Sequence, residues 1–162
     1  VNSFSKTLFP ALRISYMVVP PELVDPILRL KALYDPHPSS MAQLTLAEFI
    51  GSGAYSAHLR EMRIVYKERL NILRHSLEHS LGDSLHITPN QSGLHIYADL
   101  ASQFLDTEVV ARMKLEGFGL NPVSPYYFAP SKKKPNGIVM GYAGWRGAEL
   151  TKAAVALSKN CF

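Results

Sequence analysis

The chain has 162 residues, 47% hydrophobic and 19% charged, with 17 Lys+Arg against 13 Asp+Glu and a net charge of +4. That is the composition of one globular domain, long enough to bury roughly 70% of its unfolded surface. A charge so mild and scattered defines no polyanion-binding surface, and no apolar run approaches the roughly 20 residues of a membrane-spanning helix. Cys161 is the lone cysteine, which excludes a disulfide framework and fits a reducing cytoplasm.

In chain order, Leu12–Val19 is rich in Ile, Val, Tyr and Leu and stops at Pro20 and Pro21, which predicts a largely buried strand. Leu8–Arg13 must then hold a turn. Glu22–Leu33 repeats Leu23, Ile27, Leu30 and Leu33 at helical spacing, with Pro21 suited to the first turn. Tyr34–Ser40 is expected to be a loop, followed by a helix capped by Ser39 or Ser40 and broken by the glycines at 51 and 53.

From Ala54 to Leu81 the apolar positions Leu59, Met62, Tyr66, Leu70, Leu73, Leu77 and Leu81 recur every three or four residues, predicting one long amphipathic helix that Gly82 ends. Beyond it the pattern gives strands at Leu85–Thr88 and Leu94–Ala98 and a helix from about Asp106 to Glu116, ended by Gly117. Strands near Phe118–Asn121 and Ile138–Ala143 follow, then a helix from about Glu149 to Lys159, with Lys132–Gly137 as a solvent loop. Helices and strands mix without repeats, so the class is α/β or α+β.

Chemistry concentrates at the start, in SFSKTLFPALRISY over Ser3–Tyr16. A lysine amine attacks a carbonyl once it is neutral, and burial or a nearby cation lowers its pKa toward that state. Arg13 lies roughly 23 Å from Lys6 along an extended chain. The two serve one small ligand only if the chain doubles back, and Pro10 is placed to begin that reversal. Lys6 on an aldehyde, with Ser3 and Arg13 on a phosphate, would suit pyridoxal phosphate. Taken alone, each residue has a plainer reading: Lys6 a surface lysine at a strand end, Ser3 and Ser5 turn hydroxyls, Arg13 a capping or ion-pair residue.

That segment closely resembles the lysine segment of fold-type I pyridoxal-phosphate enzymes, and in particular the aminotransferase-like domain of MocR-type regulators in the GntR family. GAYSAHLREMRIVYKER (Gly53–Arg69), SGLHI (Ser92–Ile96) and MGYA (Met140–Ala143) follow in the same order. The resemblance implies an α/β chain forming the C-terminal part of a type I aminotransferase-like fold, with residues 1–20 as a remnant of the large cofactor domain and about 54–162 as the long connecting helix and small domain. It implies Lys6 as the Schiff-base lysine and Ser3 and Arg13 as phosphate contacts. It further implies an effector-sensing domain that signals by imine exchange with an amino-containing small molecule, in a dimeric regulator with little or no turnover.

In such proteins the DNA-binding winged helix, the acid on the pyridine nitrogen and the stacking aromatic all precede the lysine. The 162 residues by themselves are therefore expected not to retain the cofactor. The resemblance also puts a carboxylate-clamping arginine of aminotransferases at the position of Val139, with Arg146 nearby but off the motif. A genuine aminotransferase is the alternative.

A third reading is a zinc site, because His75 and His79 match HxxEH at i and i+4. They fall near the polar side of the long helix without an obvious third ligand, so no metal is expected. The stripe Arg60, Arg63, Lys67 and Arg74 is interleaved with Glu61, Glu68 and Glu78 and reads as a solvated or dimer-facing surface. His95, alternating with Tyr97 against Leu94 and Ile96, reads as structural.

Overall fold

The computed structural model describes residues 1–34, 39–88, 93–127 and 135–161. Residues 35–38 of the expected loop at Tyr34–Ser40 and 132–134 of the lysine-rich loop at Lys132–Gly137 thus lie outside the described residues, as does Ser92, while Gly137 itself begins a strand. The chain divides into two compact units, Val1–Met62 and Arg63–Phe162, with the long helix running across the boundary.

In the first unit, β1 (Asn2–Ser3) pairs antiparallel with β2 (Ser15–Tyr16), in register Asn2↔Tyr16 and Ser3↔Ser15. Between them Pro10 opens a single 3-10 turn, Pro10–Leu12, and Arg13 leaves it with φ 53°. Proline's fixed φ suits the first position of that turn. The strand expected over Leu12–Val19 is reduced to two residues. Ile14 is buried, but Met17 and Val18 are 50% and 83% exposed. Among the described residues β2 has β1 as its ladder partner, and two residues of ladder cannot cover an eight-residue apolar run.

Helix α1 (Pro21–Tyr34) buries none of its side chains, and Pro26 inside it withholds one backbone donor. Helix α2 (Ser40–Gly51) starts on Ser39, whose hydroxyl accepts the Ala42 amide at 3.3 Å. Gly53, at φ 80°, supplies the left-handed residue from which α3 (Ala54–Leu81) begins.

The second unit packs helices on one face of an antiparallel four-stranded sheet. Its strands, β3 (Leu85–Ile87), β4 (His95–Leu100), β5 (Asn121–Pro122) and β6 (Gly137–Gly141), stand in the order β3-β4-β6-β5. Along β4 burial alternates: Ile96, Ala98 and Leu100 enter the core while His95 stays exposed. Leu70, Leu73, Leu77 and Leu81 enter the same core from α3, whose helical spacing placed them on one face.

Helices α4 (Asp106–Leu115) and α5 (Gly147–Cys161) complete the layer. The strand expected from Phe118 begins at Asn121 instead. Gly117 turns with φ 87° and the Phe118 amide returns to the Met113 carbonyl at 3.0 Å, so Phe118 belongs to the exit of α4.

Among the described residues Asp106 is the buried charged residue of this unit, 3% exposed. Its carboxylate accepts the Val123 and Ser124 amides at 3.0 and 2.7 Å, the Ser124 hydroxyl at 2.7 Å and the Thr107 amide at 2.8 Å. Its own amide donates to Asn136 Oδ1 at 2.9 Å, and Asn136 Nδ2 reaches the Phe104 carbonyl at 2.6 Å. One carboxylate and one amide thus join the entry of α4, the exit of β5 and the entry of β6.

Gly137 is required by a close approach. A Cβ there would lie 2.7 Å from Tyr97 Cε2 and 2.9 Å from the Ala98 carbonyl oxygen, and the backbone oxygen has nowhere to go. Gly137→Ala is expected to lower stability by about 1–3 kcal/mol, the usual range for overpacking. A urea midpoint matching that of the unaltered chain would refute the steric argument.

Candidate functional site

The lysine segment forms a tight turn across Phe4–Leu8. The Leu8 amide donates to the Phe4 carbonyl at 2.8 Å, and the Phe4 amide donates across the hairpin to the Ile14 carbonyl at 3.1 Å. Lys6 sits in this turn and is exposed. Ser3 Oγ accepts the Ser5 amide at 3.2 Å, lies 3.0 Å from Ser5 Oγ and 3.4 Å from the Ile14 carbonyl, and is half-buried. Arg13, next to Ile14, is exposed.

The chain does double back as Pro10 suggested. The hairpin brings Ser3 against the backbone beside Arg13, with Lys6 in the turn between them. Among the described residues neither Lys6 nor Arg13 makes an ion pair. An amine, two hydroxyls and a guanidinium, carried on one short hairpin segment, are the group types suited to an aldehyde and a phosphate dianion.

Sequence reasoning missed two residues here. Tyr55 and His58, three apart on the first turns of α3, both meet Thr7, the neighbour of Lys6. Tyr55 Oη donates to Thr7 Oγ1 at 3.1 Å, and His58 Nε2 stands 3.2 Å from the Thr7 carbonyl. The i, i+3 spacing announces one shared helix face. What that face touches lies 48 and 51 residues away in sequence and has no local signal.

In the second unit, Val139 is half-buried on β6, in register with Tyr97 of β4 and Asn121 of β5. Tyr97 donates to the Asp99 carboxylate. Burial first, then the bond to Asp99 and its charge, push the Tyr97 phenol up to about 12. Val139's strand neighbours therefore include no cation. Arg146 is exposed, and its backbone amide donates to the Glu149 carboxylate at 2.7 Å. Arg69, on α3, donates to the Ala143 carbonyl.

At the HxxEH stretch His75 is paired with Glu78 at 4.0 Å and Arg74 reaches the same carboxylate at 3.8 Å, and among the described residues no group of three metal-ligating side chains converges. Of the basic stripe, Arg60, Arg63 and Lys67 are exposed. Among the described residues no helix is long and apolar enough to cross a membrane.

A lysine turn held by a hairpin, a long helix and a small α/β layer in this order make up part of the fold of pyridoxal-phosphate aminotransferases. The chain superposes on LysN, the alpha-aminoadipate aminotransferase of Thermus thermophilus solved with N-(5'-phosphopyridoxyl)-L-leucine, with a TM-score of 0.86 at 23% identity. That match covers 98% of this chain and 40% of LysN.

The chain belongs to the aminotransferase class I and II family, whose model matches residues 1–136 and so takes in Ser3, Lys6 and Arg13. It is similar to the uncharacterized HTH-type transcriptional regulator YhdI of Bacillus subtilis (strain 168), with 35% identity over 144 residues, or 89% of this chain and 30% of YhdI. It is similar also to the probable rhizopine catabolism regulatory protein MocR of Rhizobium meliloti, with 34% identity over 144 residues, or 89% of this chain and 29% of that protein. The resemblance to MocR-type regulators therefore holds over most of the chain. The chain spans about three tenths of the length of these curated relatives.

Proposed function

We propose that the chain is the pyridoxal-phosphate-binding, effector-sensing part of a GntR/MocR-type transcriptional regulator, in which an amino-containing small molecule competes with the Lys6 amine for the cofactor. The observation that supports this most is the hairpin that folds Ser3 and Arg13 around the Lys6 turn. Pyridoxal phosphate, when bound, supplies an aldehyde that condenses reversibly with primary amines. Lys6 presents the amine, Ser3 offers a hydroxyl and Arg13 a guanidinium to the phosphate, and the hairpin bonds hold the three on one short segment.

The names and greater lengths of the regulators to which the chain is similar support a setting in which a helix-turn-helix domain outside residues 1–162 holds DNA; that the full protein dimerises follows from the resemblance to fold-type I proteins alone. The regulatory reading is preferred to a transaminase because Val139, flanked by Tyr97 and Asn121, offers no cation to an α-carboxylate.

Arg13→Ala removes a charge-assisted contact of roughly 1.5–3 kcal/mol, so cofactor affinity is expected to drop about tenfold to a hundredfold in the regulator that carries this chain. Covalent capture at high cofactor concentration should persist, because Lys6 is untouched. Equilibrium titration with pyridoxal phosphate measures this, and an unchanged dissociation constant would assign Arg13 a structural role only.

A further inference from the structure

Two polar atoms of Thr7, its hydroxyl and its carbonyl oxygen, are engaged by α3. The Thr7 carbonyl can only accept, so the His58 Nε2 that stands 3.2 Å from it carries the proton and donates. Tyr55 Oη binds Thr7 Oγ1, and the same hydroxyl of Thr7 donates to the Phe4 carbonyl at 3.4 Å. Around these bonds the Tyr55 ring meets Phe4 and Phe49 edge-on at centroid distances of 5.8 and 6.2 Å, and Phe49 lies 6.4 Å from the His58 ring. Aromatic packing fixes the helix start beside the turn, and the two polar groups hold the Thr7 side chain and the Thr7–Leu8 peptide, one residue beyond Lys6.

We propose that Tyr55 and His58 are positioning residues for Lys6, setting the direction in which its amine leaves the turn. The proposal rests on the reading of Lys6 as the amine that takes pyridoxal phosphate. Lys6 has no side-chain partner of its own among the described residues, so its direction is inherited from the backbone on either side. On one side Ser5 is tied to Ser3 Oγ, and on the other Thr7 is tied to α3. A role in packing alone would depend on the rings. A positioning role depends on the donors.

The test is site-resolved labelling of the chain within the full-length protein, with pyridoxal phosphate and borohydride. The lysine nitrogen bonds the aldehyde carbon, the carbonyl oxygen leaves as water, and borohydride delivers hydride to that carbon, leaving a secondary amine that peptide mapping locates. The readout is the label on Lys6 relative to exposed Lys114 of α4, with phosphate-free pyridoxal as the control, and it needs no tight retention of the cofactor.

In the unaltered chain, Lys6 is expected to be favoured by pyridoxal phosphate and not by pyridoxal. Tyr55→Phe keeps the ring, and His58→Leu keeps bulk without a donor. Each should lower the preference about threefold to tenfold, the weight of one hydrogen bond. His58→Gln keeps an N–H and should retain the preference. Amide exchange at Leu8 in each variant reports whether the turn itself persists, and Tyr55→Phe, being nearly isosteric, guards against general unfolding.

Equal preference in Tyr55→Phe, His58→Leu and the unaltered chain would overturn the proposal while leaving Lys6 as the cofactor lysine. A His58→Gln variant as poor as His58→Leu would overturn the donor role of His58. Absence of any phosphate-dependent preference in the unaltered chain would overturn the Lys6 reading, and the proposal with it.

Discussion

Lys6→Ala is expected to abolish the borohydride-reducible link between this protein and pyridoxal phosphate, because alanine has no lone pair to offer the aldehyde. The effect is all-or-none for the covalent link, whereas the phosphate contacts proposed for Ser3 and Arg13 would remain and sustain weak, non-covalent binding. In the proposed regulator, the unaltered protein should show an absorbance band near about 420 nm with the cofactor, as lysine-bound pyridoxal phosphate does. The variant should not. A Lys6→Ala protein that still carries cofactor through reduction and peptide mapping would remove Lys6 from the proposed function and direct attention to another lysine.

The second large effect concerns Asp106. Burial by itself raises its pKa, but the bonds from Ser124, Val123 and Thr107 outweigh that and hold the carboxyl below its ordinary value of 3.8. Asp106→Ala strands the Val123 and Ser124 amides and the Ser124 hydroxyl in a buried site, at about 1–3 kcal/mol for each group that finds no water. A total loss of about 3–5 kcal/mol is expected, near the upper end for a single substitution.

Because the folded pKa of Asp106 is depressed, the unfolded chain binds this proton first. The stabilisation is therefore complete well above pH 3.8 and disappears as pH falls through the folded value. Asp106→Asn should remove this part of the acid sensitivity. Urea midpoints at pH 7 and pH 3 check both points, and an Asp106→Asn variant losing as much stability on acidification as the unaltered chain would assign the acid sensitivity elsewhere.

Asp106 also marks where sequence reading stops. Helix α3 is legible because its apolar residues recur at the helical period for 28 residues and end at Gly82, whose φ of 49° suits glycine. The bounds of α2 follow from the Ser39 cap and Gly53 for the same local reasons. The Asp106 network joins residues 17, 18 and 30 positions apart, and nothing in the neighbourhood of Asp106 announces Val123, Ser124 or Asn136.

The same divide runs through the site. Ser3, Lys6, Pro10 and Arg13 fall within one short segment, so spacing and resemblance suffice to single them out as candidates. Tyr55 and His58 lie on a separate element, and helical periodicity reports that they share a face without reporting what the face touches. The stretch Leu12–Val19 fails in the opposite way. Its composition favours a strand, but ladder length is set by partners, and the ladder with β1 stops after Ser3↔Ser15.

The two kinds of contact that hold the lysine turn differ in when they can form. Leu8 reaches Phe4 within a single turn, a closure that takes on the order of 10–100 ns. Thr7 reaches Tyr55 and His58 only by closing a loop of 48 to 51 residues, and the entropy lost in doing so, on the order of 3–4 kcal/mol, is offset only once α2 and the start of α3 exist. The turn is thus born early and fixed late. Release of the first turns of α3 would free the Thr7 hydroxyl and carbonyl without breaking the Leu8–Phe4 and Phe4–Ile14 backbone bonds, which are made within the hairpin itself.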